Sequence, residues 1–437
     1  MFTFFLGTNP RLSASEIIAA LTRLGYSYTV IARTSNWIRI DAPDGLPNDF
    51  IKILGGTIRI STDVASWPTM PSPDEVLSAL APLPSKWELG IGFVDMSQNI
   101  RSMGIALKKA ARAHGSRLSF IEPRSASRSQ GNAGGKFHHK ANHSSGSRQA
   151  VGTHSSLLNA AQVIFNKLTH DPNKELIFLQ HEGVIILMRS IAMQDIASYE
   201  LRDTSRPARD AKVGLLPPKL AQIMINLALP ATSNIPSAVY DPFCGMGTIL
   251  QEAWLMNIKA FGTDISERMI EATTQNMEHL KKYFSVKNEL APTFLPHDVT
   301  NPNVPEKIHH ENITVVTEPF LGTPLSRPLS PTEAEEFYAS VTPLYLNFFM
   351  NMKSVLPKNG RILLLLPAPR VAANGKERFS PIPRTFLDEI AAIGYRKGQL
   401  IPKELSTSSN AAGTEEPLIY ARPDAFIARE LTLWERD

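Results

Sequence analysis

The sequence predicts an α/β protein whose C-terminal half is a doubly wound, mostly parallel sheet. Short apolar runs alternate with helical patterns between residues 238 and 393, which is typical of parallel sheets covered by helices on both faces. A Gly-rich turn follows the first of these runs, and further strand-like runs near the C-terminus predict an antiparallel edge. With 437 residues, 43% hydrophobic and 20% charged, the chain is long enough for two to four ordinary globular domains.

Each element of this half has its own signal in the sequence. Buried strands are expected at 238–243, 260–265, 293–295, 314–317 and 361–366. Helices are expected at 249–256, 269–283, 333–356 and 383–393. The runs at 396–401, 418–421 and 425–429 would form the antiparallel edge.

Residues 1–67 predict a small α+β unit that precedes the sheet. A strand at 3–6 and a turn at 7–10 lead into a helix, for which Ser13 and Glu16 fit a capping box and Gly25 marks the end. Strand patterns at 28–31 and 37–40 follow. Five prolines between 67 and 84 then predict a linker over 68–84.

A second α+β unit is expected over 85–200, with a strand at 89–94, a helix at 100–114 and a hairpin at 176–190. Arg101, Lys108 and Arg112 form a basic stripe on that helix, which either binds RNA phosphates or is an ordinary solvated face. Residues 124–155 hold five cations and no acid. We expect a mobile loop there whose Lys136 and Lys140 contact RNA, the alternative being a solvated insertion. Its histidines do not predict a metal site.

Composition limits the compartment and the partners. The net charge of +4 permits a nucleic-acid partner without requiring one, and the single cysteine excludes an intrachain disulfide framework. No apolar run approaches the ~20 residues that span a bilayer, and the N-terminus lacks the basic region and cleavage site of a signal peptide. The sequence predicts a cytoplasmic protein without a membrane partner.

The strongest site signal is the Gly-rich turn in residues 239–248, which read Val-Tyr-Asp-Pro-Phe-Cys-Gly-Met-Gly-Thr. Such a turn at the carboxyl end of a strand lets a ligand approach the backbone closely. Its candidate ligand-binding residues are Asp241, Phe243, Gly245, Gly247 and Thr248. The alternative is that the glycines only make a tight turn.

Acidic residues end the next two predicted strands. Asp264, followed by Ile265, is placed to accept hydrogen bonds from ribose hydroxyls, and Asp298 to receive an adenine amino group. A dinucleotide fingerprint would need a small residue where Leu250 stands, and the chain has no Gly-Lys-Ser/Thr phosphate loop. A nucleoside without phosphate, such as S-adenosylmethionine, therefore fits better. Cys244 is interpreted as a small turn residue.

These residues carry a family resemblance. The motif at 241–249 with the later Asp264 resembles class I methyltransferases that modify RNA exocyclic amines, and 206–228 resembles the segment before that motif in THUMP-containing tRNA guanine-N2 methyltransferases. Residues 5–13 are similar to that family's opening. The resemblance implies an N-terminal ferredoxin-like domain (1–67), a THUMP domain that binds tRNA (85–200), and a Rossmann-like catalytic domain (201–437) that uses S-adenosylmethionine.

The catalytic motif departs from the family pattern Asp/Asn-Pro-Pro-Tyr/Phe, because here it reads Glu318-Pro319-Phe320-Leu321-Gly322. The resemblance implies that Glu318 and the Pro319 carbonyl accept hydrogen bonds from the target amine, while Phe320 stacks on the extruded base. Glu is longer than Asp by about 1.5 Å. Either the backbone compensates, or the target atom differs, or activity is weak.

Two functions follow as hypotheses. The first is S-adenosylmethionine-dependent methylation of a tRNA guanine N2, with position 10 given by family analogy alone and adenine N6 as another exocyclic amine. The second is an RNA-binding protein with an inactive methyltransferase domain. Arg206 and Arg209 would touch RNA phosphate or stabilise the segment before the catalytic domain. A monomer is expected, and the need for a small activating subunit stays open.

Overall fold

The computed structural model describes residues 1–121, 156–209, 215–230, 238–309, 312–406, 417–422 and 424–437. In chain order the strands are β1 Phe2–Leu6, β2 Thr29–Arg33, β3 Trp37–Asp41, β4 Thr57–Trp67, β5 Lys86–Val94, β6 Arg117–Ile121, β7 Glu175–His181, β8 Val184–Met193, β9 Ala238–Asp241, β10 Lys259–Asp264, β11 Thr293–Pro296, β12 Ile313–Thr317, β13 Arg361–Ala373, β14 Lys376–Phe379, β15 Tyr395–Lys397, β16 Leu418–Tyr420 and β17 Ile427–Arg436. The helices are α1 Pro10–Arg23, α2 Pro73–Ala79, α3 Ile100–Ala113, α4 Ala160–Phe165, α5 Ile196–Arg202, α6 Pro218–Ala228, α7 Thr248–Leu255, α8 Glu267–Tyr283, α9 Glu306–His309, α10 Pro331–Met352 and α11 Arg384–Ile393. These elements form two compact units.

The first unit consists of Met1–Phe5, Trp37–Asp41 and Ile58–Ala197. Its sheet runs in the order β3-β1-β4-β8-β7-β5-β6, with β5 parallel to both β6 and β7 and an antiparallel β7–β8 hairpin as predicted. One face of β5, β7 and β8 packs on α2 and α3 through a shared apolar core that includes Leu89, Leu107 and Phe178. Strands from both predicted N-terminal units thus lie in one sheet.

The segment expected to be a linker is partly helical. Ser72 caps α2, because its hydroxyl accepts the backbone N–H of Glu75 while the Glu75 carboxylate accepts the N–H of Ser72. Val76 and Leu77 on this helix are buried in the core of the first unit. The prolines therefore mark the start of α2 and the turn after it.

The second unit consists of Leu6–Asn36, Ala42–Thr57 and Ser198–Asp437. Its sheet runs β11-β10-β9-β12-β13-β17-β15, and β9 to β13 are mutually parallel while β17 is antiparallel to both neighbours. Counted within this sheet along the chain, the order is 3-2-1-4-5-7-6. The predicted doubly wound, mostly parallel sheet with an antiparallel edge is confirmed.

One expectation about this sheet was wrong, and one strand is longer than expected. The strand β11 was expected to be buried, but as an edge strand it is only partly covered. The antiparallel edge expected from 396–401, 418–421 and 425–429 is confirmed, because β15 and β16 both pair antiparallel with β17. The run at 425–429 belongs to β17, which extends to Arg436. β17 is covered on both faces, since Leu431 and Leu433 on one face and Trp434 on the other are all buried.

The capping box expected at Ser13 and Glu16 was also wrong. Asn9 caps α1, followed by Pro10 at the first helical position, and Ser13 and Glu16 lie inside the helix. Asn9 caps the helix without a capping box, since its side chain accepts the backbone N–H of Leu12, which has no polar side chain to return the bond. Pro at the first helical position decides between the two possible starts, because it cannot occupy the interior without losing a hydrogen bond.

Glu16 instead joins parts of the second unit that are distant in sequence. Its buried carboxylate accepts the backbone N–H groups of Gly55 and Gly56 at 2.8 Å each and the Asn226 amide at 2.9 Å. Burial raises its pKa to about 7. A Cβ on Gly55 would lie 2.0 Å from the Lys219 carbonyl, so only glycine allows this approach to α6.

Among the residues that the structure describes, none of the helices is long and apolar enough to cross a membrane.

Candidate active site

A cavity of about 520 Å³ opens at the carboxyl ends of β9, β10 and β12 in the second unit. It brings together most of the residues that the sequence singled out: Asp241, Phe243, Gly245, Thr248, Asp264, Ile265, Glu318, Pro319 and Phe320. Its size suits a nucleoside-sized ligand. Because the three strands are parallel, residues that follow them meet at one edge of the sheet.

The two motif glycines have different roles. Gly245 lines the cavity at φ +51°, and a Cβ there would meet nothing nearer than the Phe243 carbonyl at 3.9 Å, so its half-buried backbone faces open space. Gly247 is not a lining residue. It caps α7 at φ +79°, and a Cβ there would lie 2.7 Å from a methyl of Thr273 on α8. Gly245 thus leaves room for a ligand, and Gly247 allows α7 and α8 to pack.

Asp264 is bonded to the Gly-rich turn. One carboxylate oxygen accepts the N–H of Gly245 at 2.9 Å and the other accepts the N–H of Ser266 at 2.9 Å. Burial raises the pKa of this carboxyl, and the two backbone hydrogen bonds oppose that rise. The remaining lone pairs lie at the cavity, where they can accept hydroxyl hydrogens from a sugar. The exposed side chain of Ile265 offers an apolar surface next to it.

Asp241 is almost fully buried at the inner end of the cavity. Its carboxylate accepts the Thr317 hydroxyl at 2.6 Å and the Phe243 N–H at 3.2 Å. Burial raises its pKa to about 7. A cationic ligand group beside it would favour the ionised form. Burial also raises the pKa of the Cys244 thiol, consistent with a structural residue.

The predicted contact of Arg206 with RNA is wrong. Its side chain is 2% exposed, and one terminal nitrogen donates to the Thr248 hydroxyl at 2.8 Å. Its Nε and Nη2 have no hydrogen-bond partner among the described residues. A buried guanidinium directly behind a lining residue makes this end of the cavity favourable for an anionic ligand group such as a carboxylate. Arg209, by contrast, is exposed.

The loop after β12 forms the opposite wall. Pro319 is buried, whereas Phe320 is 57% exposed and lines the cavity. The Tyr345 hydroxyl donates to the Phe320 carbonyl at 2.7 Å and fixes the loop. No described residue donates a hydrogen bond to the Pro319 carbonyl. An exposed aromatic ring and an available carbonyl thus stand side by side.

Sequence reasoning missed Arg429, which lies on β17 opposite Pro367. Its Nε donates to Oε1 of Glu318 at 2.5 Å, and both side chains line the cavity while mostly buried. Glu318 Oε2 and the terminal nitrogens of Arg429 have no partner among the described residues. No local motif marks Arg429, because its position depends on the register of a strand 111 residues away from Glu318.

The remaining candidates lie elsewhere. Asp298 is not a lining residue, and its Oδ1 accepts the backbone N–H and the hydroxyl of Thr300, each at 2.8 Å. The predicted stripe of Arg101, Lys108 and Arg112 is exposed on α3. Lys136 and Lys140 lie outside the described residues. Within the described ranges no three metal-binding side chains cluster.

Comparisons with known proteins bear on the segment that builds the cavity. Residues 206–293 match the model of the RMKL-like methyltransferase domain. This segment is similar to a methyltransferase domain. The match includes the Gly-rich turn and Asp264, so the predicted resemblance is confirmed there.

Among curated relatives, a tRNA (guanine(10)-N2)-dimethyltransferase of Methanothermobacter thermautotrophicus is 31% identical over 154 residues, which cover 35% of this chain and 39% of the relative. One of Methanocaldococcus jannaschii with the same description is 38% identical over 112 residues, which cover 25% and 29%. The chain thus spans about two fifths or less of these relatives' length. The crystal structure of TrmN from Thermus thermophilus covers 100% of both chains, with 14% identity and a TM-score of 0.47.

The lining residues of this methyltransferase-like domain fit S-adenosylmethionine. Asp264 and Ile265 suit its adenosine, and the open backbone at Gly245 leaves space for the adjoining chain. Asp241 offers a carboxylate to an ammonium group, and the guanidinium of Arg206 behind Thr248 favours a carboxylate. These groups therefore match the ammonium and the carboxylate of an amino acid that is joined to a nucleoside.

Proposed function

We propose that this chain is an S-adenosylmethionine-dependent tRNA methyltransferase that modifies the exocyclic N2 amine of a guanosine, at position 10 by family analogy. The observation that supports this most is the single cavity, in which Asp264 and Gly245 face the Glu318-Pro319-Phe320 loop. One side suits a methyl donor, and the other suits a planar base with an amine. The names of the curated relatives support tRNA and guanine as the substrate.

Bound S-adenosylmethionine would supply an electrophilic methyl group on its sulfonium. Asp264 would accept the ribose hydroxyls, held in orientation by the N–H groups of Gly245 and Ser266. Ile265 would cover one face of the adenine. Asp241 would neutralise the ammonium of the methionine end, with Phe243, Gly245 and Thr248 forming the wall.

The task of the loop is to orient a poor nucleophile. The lone pair of a guanine N2 amine is delocalised into the ring, and two acceptors for its N–H bonds can turn that lone pair towards the methyl group. Oε2 of Glu318 and the Pro319 carbonyl are the two acceptors, and Phe320 stacks on the extruded base. The nitrogen would take the methyl as the bond between methyl and sulfonium sulfur breaks, leaving a neutral thioether, and would then lose a proton to solvent. No strong base is needed beforehand.

We assign tRNA binding to a THUMP domain over 85–200, all but the last three residues of which belong to the first unit. Its support is the exposed stripe of Arg101, Lys108 and Arg112, together with the five cations of residues 124–155. Arg209 is the exposed cation that follows Arg206 in the second unit. A cytoplasmic location stays part of this proposal and rests on composition.

Transfer of tritium from labelled S-adenosylmethionine to unmodified tRNA, followed by mass spectrometry of the nucleosides, tests the proposal. N2-methylguanosine formed by wild type and absent with Glu318→Ala supports it. N6-methyladenosine would reassign the amine. Cofactor binding without any transfer would instead identify an RNA-binding protein with an inactive methyltransferase domain.

A further inference from the structure

The Glu318–Arg429 ion pair presents a specific pattern of hydrogen-bonding groups to the cavity. Both side chains line the cavity, and they are joined by one hydrogen bond, from Nε of Arg429 to Oε1 of Glu318. A guanidinium has five N–H donors and a carboxylate about four acceptor sites, so this bond uses a small part of either group. Neither group has another partner among the described residues.

From Arg429 to Glu318, the hydrogen-bonding groups that face the cavity follow the order donor, acceptor, acceptor. The terminal nitrogens of Arg429 donate, and the two oxygens of Glu318 accept. The Watson–Crick edge of guanine reads acceptor, donor, donor, from O6 through N1–H to the N2 amine. The ion pair therefore offers the same pattern that cytosine offers to guanine in a base pair.

We propose that Arg429 is a specificity residue that donates a hydrogen bond to O6 of the target guanine while Glu318 accepts from N1–H and N2–H. This inference rests on the proposed guanine-N2 activity and adds how the base is recognised. It also explains why Glu318 stands where the family pattern has the shorter Asp or Asn, because its carboxylate has to reach both Arg429 and the base. Adenine fits poorly, because its ring N1 carries no hydrogen and would face a Glu318 oxygen as a second acceptor.

The hydrogen-bond geometry of the pair favours recognition of a base over a purely structural ion pair. A structural pair in a cavity wall gains most when the guanidinium binds the carboxylate through two parallel hydrogen bonds. Here a single nitrogen is engaged, although both side chains are mostly buried. Arg429 lines the same cavity as Phe320, the stacking surface for the base.

The test replaces one atom of the substrate. Two tRNA transcripts are compared, with guanosine or 6-thioguanosine at the nucleotide that mass spectrometry identifies as methylated. Sulfur is a weak acceptor, and N1–H and the N2 amine are retained. We expect wild type to prefer guanosine by about tenfold in kcat/KM, the value of one good hydrogen bond.

In Arg429→Met the preference should fall to about one, because Met keeps the stem and removes the donors. Arg396→Met, an exposed arginine on β15 outside the cavity lining, is the matched control and should keep the wild-type preference. If Arg429 only holds Glu318 in place, the variant slows both transcripts equally and the preference survives, which overturns the inference. No preference in wild type overturns it as well.

A second variant covers the case in which Arg429→Met is inactive. Arg429→Lys keeps the charge but loses the fork of donors, so its preference for guanosine should lie below that of wild type. An unchanged preference contradicts the inference. Failure of wild type to methylate any tRNA guanosine, by contrast, contradicts the proposed function itself.

Discussion

Asp264 accepts the backbone N–H of Gly245 at 2.9 Å, so the acidic end of β10 and the Gly-rich turn after β9 form one rigid element. The same carboxylate also holds Ser266, the residue before α8. A ligand that binds Asp264 therefore meets a turn that this hydrogen bond already holds in place. Such preorganisation lowers the entropy cost of binding.

Asp264→Ala should weaken S-adenosylmethionine binding by about 1.5–3 kcal/mol, because charge-assisted hydrogen bonds to the ribose are lost. Asp264→Asn should lose less, since its oxygen can still accept one N–H. Calorimetric titration measures both, with Asp388→Ala, an exposed acid on α11, as the control. Unchanged affinity in a folded Asp264→Ala protein would remove this residue from the site.

Asp241 should make stability depend on pH. Its pKa is about 7 in the folded protein and near 3.9 in an unfolded chain, so between these values the folded state holds a proton that the unfolded state releases. The free energy of unfolding should therefore fall as pH rises from about 4 to 7. Urea unfolding at several pH values should show a smaller fall for Asp241→Asn. Equal slopes would mean that Asp241 is ionised throughout.

Glu318 should control methyl transfer rather than cofactor binding. Glu318→Gln keeps an acceptor and should retain some activity, whereas Glu318→Ala should lose nearly all of it. Glu318→Asp withdraws the carboxylate from Arg429, and a shift of this size can cost about 100-fold in rate. Single-turnover rates with bound cofactor separate these outcomes. Wild-type turnover by Glu318→Ala would exclude this loop as the catalytic centre.

The basic stripe on α3 should contribute to tRNA affinity. Replacing Arg101, Lys108 and Arg112 by Ala should weaken binding and reduce the slope of log K against log salt by up to about 2.7, the release expected for three phosphate contacts. Filter binding at several salt concentrations measures this. Lys86 and Arg117, exposed cations on β5 and β6, are the control pair. An unchanged slope would identify the stripe as a solvated face.

Glu16 should be a large contributor to the stability of the second unit. Glu16→Ala leaves the buried N–H groups of Gly55 and Gly56 and the Asn226 amide without their acceptor, which should cost about 2–4 kcal/mol. Glu271→Ala, an exposed acid on α8, should be nearly neutral. Chemical unfolding curves compare the two. Similar unfolding midpoints for the two variants would show that the N–H groups of Gly55 and Gly56 find other acceptors.

The sequence predicted those parts of the site that local pattern determines. Gly245 and Asp264 follow directly after apolar strands, and parallel strands carry such residues to one edge whatever the rest of the chain does. Arg429 was missed because its place depends on the register of β17. Arg206 was misjudged because a cation near a domain boundary gives no sign of burial. Ser13 and Glu16 matched a capping pattern, although Asn9 caps the helix and Pro10 begins it.

Each unit is built from several separate segments of the chain, which affects how the protein can fold during synthesis and how it can be truncated. The chain passes between them after Phe5, Asn36, Asp41, Thr57 and Ala197. No single cut therefore separates them, and a fragment that starts at Ser198 lacks α1 and with it the carboxylate that Asn226 binds. During synthesis, α1 leaves the ribosome about 200 residues before α6, and such distant pairings slow folding. In a newly made N-terminal half, the side of α1 that packs on α6 stays uncovered until residues 218–228 have been synthesised.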